Sequence, residues 1–517
     1  MILAFLLVIS IEHLTGQDGT LDFGFGEDGV KKISLSDRNT RGQKLLYLDD
    51  GSIIIGINSD ISNGGSLQEQ SFYIYKLQPN GELDSTFGQN GNLYFPNGDN
   101  GKSYIHSLLN QSIEKFIVFC EIDGGFKLLK CNLNGTIDQS VDISDITNSY
   151  CKGNKIDIQF NGKIVVAAQY YDGYSNFYKF SRYNNDGSID SSFGINGSIQ
   201  PDITPYRFDL CQSIKVDSDN KIIAVGASFD EATQKNAVIV RFNENGSLDN
   251  SFGENGVVIT DFNSLSSHGE FMDVDILPTG EIIVGGNMEY SGGTGGFGGS
   301  KPAIAKFNSN GTLNYSFGNQ GIVIMNTIFD ANDSFMTLIV QPDHKIIYGG
   351  GASLPFPYMQ TDFYISRLNS DGSVDTEFGN NGSFLTSFAN AETNKVHDLC
   401  LDNKGKILAI GITKDSTNQF FNAVICRLNN ESLIIENHQN EPEINIFPNP
   451  ANERITIEGN NNTRIEIFNI TGQLCKTLEC DKLLNNIQFD IRDLDPGIYM
   501  ISIIKEDKKI IKKLIKI

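Results

Sequence analysis

One phrase of turn-forming residues, written "NENGSLDNSFGENG" at 243–256, recurs along the chain in forms such as "NNDGSIDSSFGING" and "NSDGSVDTEFGNNG". The copies align on a glycine that follows Asn or Asp, at Gly19, Gly81, Gly135, Gly187, Gly246, Gly311 and Gly372. Intervals of 52 to 65 residues indicate a repeat array rather than one ordinary core.

Each position of this corner phrase has a predicted task. Asn-Gly or Asp-Gly tolerates positive φ and lets a strand reverse tightly. The apolar residue two positions after the glycine is predicted to fill the nearby core. The acid three positions after it is predicted to cap its own turn by bonding backbone amides. These acids are Asp22, Asp84, Asp138, Asp190, Asp249 and Asp375, with Asn314 in the sixth copy.

Six residues after the glycine stands an aromatic ring large enough to anchor a loop between two neighbouring sheets. It occurs at Phe25, Phe87, Phe193, Phe252, Phe317 and Phe378, each followed by glycine. The third copy carries Val141 instead.

A second phrase lies between the copies, in forms such as "LDDGSIIIG" and "PTGEIIVGG", and it predicts a strand, a turn and an apolar strand. Each unit then holds four short strands; in the fifth these are "VVITDF", "FMDVDIL", "EIIVGGN" and "KPAIAKFN". Four strands per unit predict radial repetition, in which neighbouring sheets bury each other's faces. Seven units, ending at Asn429, predict an all-β, seven-bladed β-propeller. An open solenoid is the alternative, and it would need polar caps.

The two phrases together resemble the delta-60 repeat family of bacterial β-propellers, over about residues 17–430. The resemblance implies a fold and commonly an exported protein. It implies no chemistry.

A different pattern follows, with "INIFPNPANERITIEG", "RIEIFNITGQLCKTL" and "NIQFDIRDLDPGIYMISI". Alternating strands with Pro and Gly turns predict a small Ig-like β-sandwich. Residues 443–517 hold 11 basic and 11 acidic residues, so the whole charge of −23 lies upstream and two modules are indicated.

This tail resembles the type A C-terminal sorting domain of the type IX secretion system of Bacteroidetes. The matching positions are Pro448-Asn449-Pro450, Asn469 with Gly472, Asp493-Leu494 with Gly497 and Tyr499, and Lys512 to Lys516. The resemblance implies delivery to the cell surface or the medium through that secretion machinery, via residues 444–517. An ordinary Ig-like binding module is the alternative.

At the other end, "MILAFLLVISIEHLTGQ" contains an apolar run of signal-peptide length without a basic start. A buried first strand is the alternative. We therefore expect a signal peptide at 1–16, a propeller at 17–430, a polar linker at 431–443 and a sorting domain at 444–517. No other stretch is long and apolar enough to cross a membrane, so none is expected in the mature chain.

The charge of −23 argues against a nucleic-acid partner, because phosphate binding needs a basic surface. The eight cysteines lack C-x-x-C spacing, and most are predicted to be buried strand thiols. A disulfide between Cys475 and Cys480 stays open for an exported protein.

Four other features gave no predicted site. "SGGTGGFGGSKP" contains G-x-G-x-x-G at Gly293–Gly298, but a strand follows it where a phosphate site needs a helix. "DSDNK" at Asp217–Lys221 is interpreted as a hairpin turn rather than a calcium loop. The six histidines are scattered. The corner acids could collect a cation at one rim, but capping is favoured. No catalytic, cofactor-binding or metal-binding residue is predicted.

The sequence favours an exported, monomeric, non-catalytic propeller that binds a protein or glycan. One alternative is a polysaccharide hydrolase or lyase with its site at the propeller axis, and another is a structural or adhesion protein. Convergent acids with a His or Arg at the mouth of the central channel would favour the enzyme. A featureless polar mouth would favour binding. The chain contains no Trp, which is the commonest residue for stacking on sugars.

Overall fold

In the computed structural model, the chain divides into two compact units, Met1–Leu433 and Ile434–Ile517. The residues that the structure describes are 17–63, 66–98, 102–112, 114–143, 155–171, 176–201, 210–229, 235–260, 266–290, 299–325, 333–353, 360–388, 391–415, 420–430, 445–447, 451–458, 464–469, 474–479, 486–494, 497–505 and 508–516. The expected signal peptide (1–16), the linker (431–443), Pro448-Asn449-Pro450 and Gly472 lie outside these ranges.

The first unit begins with strand β1 (Val30–Ile33), followed by three sheets of four strands. The first sheet is β2 (Asn39–Tyr47), β3 (Ile53–Asn63), β4 (Ser66–Leu77) and β5 (Asn92–Phe95). The second is β6 (Ser103–Ser112), β7 (Lys115–Ile122), β8 (Gly125–Asn132) and β9 (Ile137–Asp142). The third is β10 (Lys155–Ile158), β11 (Ile164–Tyr171), β12 (Asn176–Tyr183) and β13 (Ser198–Ile199).

Four further groups follow the same order. The fourth is β14 (Leu210–Val216), β15 (Ile222–Phe229), β16 (Lys235–Phe242) and β17 (Val257–Thr260), and the fifth is β18 (Ser266–Ile276), β19 (Ile282–Tyr290), β20 (Gly299–Phe307) and β21 (Ile322–Ile324). The sixth is β22 (Ser334–Val340), β23 (Ile346–Ser353), β24 (Thr361–Leu368) and β25 (Ser383–Thr386). The seventh is β26 (Ala391–Leu401), β27 (Ile407–Asp415) and β28 (Asn422–Leu428). Within each group successive strands pair antiparallel.

These seven groups are the blades of a closed propeller. The first strands of the blades contact one another in cyclic order, and that of blade seven, β26, contacts that of blade one, β2. Buried apolar clusters lie between blades and draw residues from both. The cluster between blades four and five, for example, joins Val225 and Ile239 to Phe271 and Val284. Burying both faces of each sheet in this way is what a single four-stranded sheet cannot achieve alone.

Strand β1 completes the ring. It pairs antiparallel with β28, from Val30 opposite Cys426 to Ile33 opposite Ala423, and so becomes the fourth strand of blade seven. The predicted seven-bladed propeller is confirmed. The open solenoid is wrong, because the first and last segments of the repeat array share one sheet.

The predicted phase of the repeat is wrong by one strand. The strand after each corner pairs with the strand before it, as β17 does with β16 through Val257 opposite Val240. Val257–Thr260, the described part of "VVITDF", therefore belongs to blade four rather than to the blade that follows the corner. Hairpin pairing within the sheet overrides the order in which the sequence units were counted.

The second unit has two antiparallel sheets. One is β29 (Asn445–Phe447), β30 (Arg454–Glu458) and β33 (Asn486–Asp490). The other is ordered β32 (Leu474–Glu479), β31 (Arg464–Asn469), β34 (Gly497–Lys505) and β35 (Lys508–Lys516). Both sheets contribute to one buried cluster that includes Ile455, Ile465 and Leu514. The second unit is thus all-β, with two sheets that share one core, and its Ig-like character stays a prediction.

Candidate functional site

The seven corners lie at one end of the propeller, here called the corner end. Each glycine that follows Asn or Asp has φ between 74° and 87°, as the turn prediction requires. The glycine after the corner Phe donates its N–H to the next corner; Gly253 donates to the carbonyl of Asn310 at 2.9 Å. The seventh corner reaches the first in the same way, since Gly379 donates to the carbonyl of Asp18 at 2.7 Å.

The corner acid has two roles, one on each oxygen. Asp249 Oδ1 accepts bonds from the backbone N–H (3.1 Å) and hydroxyl (2.6 Å) of Ser251, which confirms the predicted cap. Its Oδ2 accepts bonds from Arg241 Nε at 2.8 Å and Lys221 Nζ at 2.7 Å. Burial raises the pKa of Asp249, but Lys221, Ser251 and Arg241 together lower it below its ordinary value.

The arginine also holds the aromatic anchor. The guanidinium of Arg241 lies 4.5 Å from the ring centroid of Phe252, and its Nη1 donates to the carbonyl of Ser309 in the next corner at 2.5 Å. Phe252 is fully buried in the cluster between blades four and five, which confirms its predicted anchoring role. The same set recurs as Arg182–Asp190–Phe193, Arg367–Asp375–Phe378 and Arg427–Asp22–Phe25.

The sixth copy exchanges the charges of this set. Lys306 occupies the position of the arginine, and Glu281 that of the lysine. Lys306 Nζ lies 3.0 Å from Glu281 Oε1, and Asn314 Nδ2 donates to the same oxygen at 3.0 Å. The replacement of the corner acid by Asn314 is therefore matched by a reversed charge on its partner.

The predicted core-filling role of the apolar corner residue is confirmed at three corners, where Leu21, Leu248 and Leu313 pack against the clusters between blades. At the other four it is wrong, because Leu83, Ile137, Ile189 and Val374 are 39 to 46% exposed. Ile189 and Val374 instead cover the last glycine of their own corner. A Cβ at Gly382 would lie 2.2 Å from Val374 Cγ1, so glycine is required there.

The degenerate third corner borders a surface cleft of about 840 Å³. Val141, Tyr183 and Ile195 line it, together with Lys179 and Pro201. Ile195 is 82% exposed, where other corners carry Glu27, Gln89, Glu254 or Asn319. The cleft thus lies beside the corner that lacks the Phe anchor.

The central channel carries a ring of polar side chains from the first strands. One layer consists of Lys44, Ser107, Lys155, Ser213, Asp273, Thr337 and Asp398. Asp273 accepts bonds from Ser213 Oγ at 2.7 Å and Thr337 Oγ1 at 3.0 Å. Asp398 lies 3.5 Å from Lys44 Nζ and accepts the backbone N–H of Leu45 at 3.1 Å. These acids therefore satisfy the unpaired inner edge of the neighbouring blade.

Burial and neighbouring charges both shift the pKa values of the titratable groups in this layer. Burial raises the pKa of Asp273, yet Lys155, Ser213 and Lys44 bring it below its ordinary value. Burial lowers the pKa of Lys155, and the nearby Lys44 ammonium lowers it further. The layer carries two positive and two negative side chains and is balanced.

A second layer lies one step closer to the corner end. Lys215 Nζ lies 3.1 Å from Asp275 Oδ1, and Asp275 raises the pKa of Lys215. Asp157 accepts the backbone N–H of Val216 at 2.7 Å, and burial raises its pKa. Each described acid in the channel thus bonds a neighbouring blade.

The opposite end of the propeller is where the first and third strands begin. Here Asn39, Arg41, Asp60, Lys414 and Phe421 meet across blades seven and one, and we call this set the Arg41 cluster. Asp60 accepts Asn39 Nδ2 at 2.7 Å and Arg41 Nε at 2.9 Å. The Arg41 guanidinium lies 4.3 Å from the ring centroid of Phe421, and Lys414 Nζ lies 5.5 Å from it.

Other predicted features have these positions. "DSDNK" is a turn, in which Asp217 Oδ1 accepts the N–H groups of Asp219 (2.9 Å) and Lys221 (2.8 Å). Cys120, Cys131, Cys211 and Cys426 are buried strand thiols as predicted. Gly293–Gly298 and Cys480 lie outside the described residues.

Two histidines lie on first strands, His106 on β6 and His397 on β26. Burial lowers the pKa of both to about 4. Across the described ranges, no three His, Cys, Asp or Glu side chains group as a metal site would require.

Sequence reasoning missed the cationic partners of the corner acids and both channel layers. A basic residue lies five positions before six of the seven corner glycines, as Arg182, Arg241 and Arg367 or as Lys76, Lys130 and Lys306. "ICRLN" carries Arg427 where an eighth corner would begin, so this recurrence was a detectable signal. The Arg41 cluster had no such signal, because its members come from strands far apart in sequence.

Two protein-family descriptions match the chain, one in each of its two units. Residues 445–517 match the family described as "Secretion system C-terminal sorting domain". Residues 159–193, 218–252, 277–317 and 341–378 match "Domain of unknown function (DUF5122) beta-propeller". The predicted repeat propeller with a sorting tail is confirmed. Such a tail engages the secretion machinery and marks the protein for the cell surface or the medium. No helix in the described ranges could span a membrane.

Several solved structures match the chain at low identity. Polysaccharide lyase Uly1 is 8% identical, with 81% of this chain and 94% of that chain covered and a TM-score of 0.45. Sqt1 of Chaetomium thermophilum is 10% identical, with 81% and 99% covered and a TM-score of 0.44. A PL25 ulvan lyase bound to -[GlcA(1-4)Rha3S]- is 12% identical, with 78% and 96% covered and a TM-score of 0.41. No curated protein matches the chain.

Proposed function

We propose that this exported propeller is a non-catalytic binding protein whose ligand, a protein or a glycan, docks on the end opposite the corners. The observation that carries the proposal is the contrast between the two ends. At the corner end the turns repeat one phrase, and their glycine N–H groups and arginine side chains bond the next corner.

The strands that end at the opposite face are joined by segments that differ in every blade. Between the second and third strands stand "DGYS", "DEATQ", "SGGTGGFG" and "LPFPYM". Segments that repeat in every blade keep the contacts that close the ring. Segments that differ between blades are the part of a repeat scaffold that determines which ligand it binds. The described channel acids are engaged in bonds between blades, which favours a binding role over general acid–base chemistry at the axis.

The test is site-specific photo-cross-linking with the full-length chain. Benzoylphenylalanine replaces Lys102, an exposed residue at the opposite end, or Lys404, an exposed residue at the corner end. Each protein is screened on a panel of glycans and outer-surface proteins. Position 102 should cross-link a retained ligand, and position 404 should not.

A ligand captured only at position 404 would contradict the proposed docking face. New reducing ends or unsaturated products formed from a retained glycan would contradict the non-catalytic role and favour an enzyme.

A further inference from the structure

We propose that the Arg41 cluster binds the carboxylate or sulfate group of an acidic saccharide. The inference rests on the proposed function and names the chemical class of its ligand. It begins with how firmly Arg41 is held. The carbonyl of Phe421 accepts the N–H of Thr40 at 2.9 Å, and the N–H of Phe421 donates to Asn39 Oδ1 at 3.0 Å. Asn39 in turn bonds Asp60, which holds Arg41 through Nε.

These bonds leave the two Nη groups of the Arg41 guanidinium for a ligand. Asp60 engages Nε alone, and the flat face lies over Phe421. Within the described ranges neither Nη group of Arg41 has a protein acceptor. The Arg41 side chain is 29% exposed while that of Asp60 is 9% exposed, so the ion pair is sheltered and its cationic edge is open. A fixed fork of two N–H groups suits a planar carboxylate or a sulfate.

The local charge also favours an anion. Arg41 and Lys414 lie against the same ring, and Asp60 has both oxygens already bonded. The cluster is a cationic spot on a chain of net charge −23. Long-range attraction therefore cannot draw a polyanion to this protein, and any such binding has to be local.

A saccharide fits better than an acidic peptide. Burial and then the Asp60 carboxylate raise the pKa of the half-buried Tyr104 phenol, and Gln70 is paired opposite Asp60 across β3 and β4. A hydroxyl and an amide beside one anion site match a sugar ring that carries a single acid group among its hydroxyls. A run of acidic residues would bring further carboxylates against a negative surface.

The experiment is calorimetric titration of the full-length protein with trigalacturonate, galactose 6-sulfate, maltotriose and triglutamate at physiological salt. The first two distinguish a carboxylate from a sulfate source. We expect at least one of them to bind and maltotriose not to bind. Arg41→Gln and Lys414→Gln should each weaken that binding about tenfold, whereas Lys404→Gln at the corner end should leave it unchanged.

Arg41→Lys separates recognition from folding, because it keeps the charge and the bond to Asp60 but loses the fork. It should bind about fivefold more weakly with unchanged thermal unfolding. If neither acidic sugar binds, or if Arg41→Lys and Lys414→Gln both bind like the native protein, the inference is wrong. Arg41-dependent binding of triglutamate alone would also overturn it. Retention of a neutral glycan or a protein with unaltered affinity in these variants would leave the proposed function standing and remove only this site.

Discussion

Phe252 shows how one side chain joins two blades. Its ring is fully buried between blades four and five, and Arg241 lies over it while bonding Asp249 and the next corner. Packing and charge are therefore coupled at one point. The ring supplies buried apolar area, and the buried carboxylate gives the arginine a partner that makes its own burial tolerable.

Replacing Phe252 with Ala should destabilise the propeller by about 3–5 kcal/mol, the usual cost of deleting a buried aromatic ring. Urea denaturation of the full-length protein measures it. Phe23→Ala is the matched control, since Phe23 stands in a corner phrase but is 74% exposed. Equal, small effects of both substitutions would show that the ring is no anchor.

The sixth corner offers a test of charge exchange. Asn314→Asp should destabilise by about 1 kcal/mol, because it places a carboxylate beside Glu281. Glu281→Lys in the same chain restores the arrangement of the other corners and should recover most of that loss. A double-mutant cycle from thermal unfolding gives the coupling energy, and additive effects would mean that the two positions do not interact.

We expect His106 and His397 to make the stability of the fold sensitive to acid at pH values well above those at which carboxylates titrate. Their folded pKa is about 4, below the ordinary 6.5. In the unfolded chain they take up protons as pH falls through 6.5, and in the fold only near 4. Stability should therefore be full above pH 6.5 and should fall towards pH 4, by up to about 3 kcal/mol for each residue.

The measurement is the free energy of unfolding at several pH values in the native chain and in His397→Asn. That variant should show a shallower decline. His344→Asn, at a surface turn, is the control and should follow the native curve. A flat native profile between pH 6.5 and 4 would contradict the prediction.

At the scale of elements, β1 differs from the other described strands of the first unit in that its sheet partner, β28, comes from the other end of the repeat array. Removing residues 17–33 should leave β28 with an open edge and blade seven with three strands. The first corner would also be lost, and with it the partner of Gly379. We expect lowered thermal stability and association through the exposed edge, measured by calorimetry and light scattering. A monomer with native stability would show that β1 is dispensable.

The elements were largely predictable from sequence because their signals are local. Asn-Gly turns, alternating apolar strands and the Phe offset specified where strands begin and reverse. The sheet to which Val257–Thr260 belongs was not predictable, since that depends on pairing across the corner. The channel layers and the Arg41 cluster were missed for the same reason: Arg41 and Phe421 meet only after the ring closes.

At the scale of the whole molecule, the two units have separate cores, and no corner phrase occurs after Asn429. Deleting residues 445–517 should therefore leave the propeller folded but prevent its delivery to the cell surface or medium. Fractionation of a host with this secretion system compares full-length and truncated protein. Truncated protein at the surface in normal amounts would contradict the sorting role, and an insoluble product would show that the ring needs the tail.

The pairing of β1 with β28 also determines when, during synthesis of the chain, the propeller can close. A strand that ends at Ile33 has to wait until Asn422 has been made before its partner exists. At roughly 5–20 residues per second that wait is about 20 to 80 s, far longer than a hairpin needs to form. Every ribosome making this protein therefore carries a chain whose earliest strand is unpaired until almost the last blade emerges. Pairing of β1 with β28 is therefore the last strand pairing that the propeller can form, and a chain interrupted before Asn422 cannot close the ring.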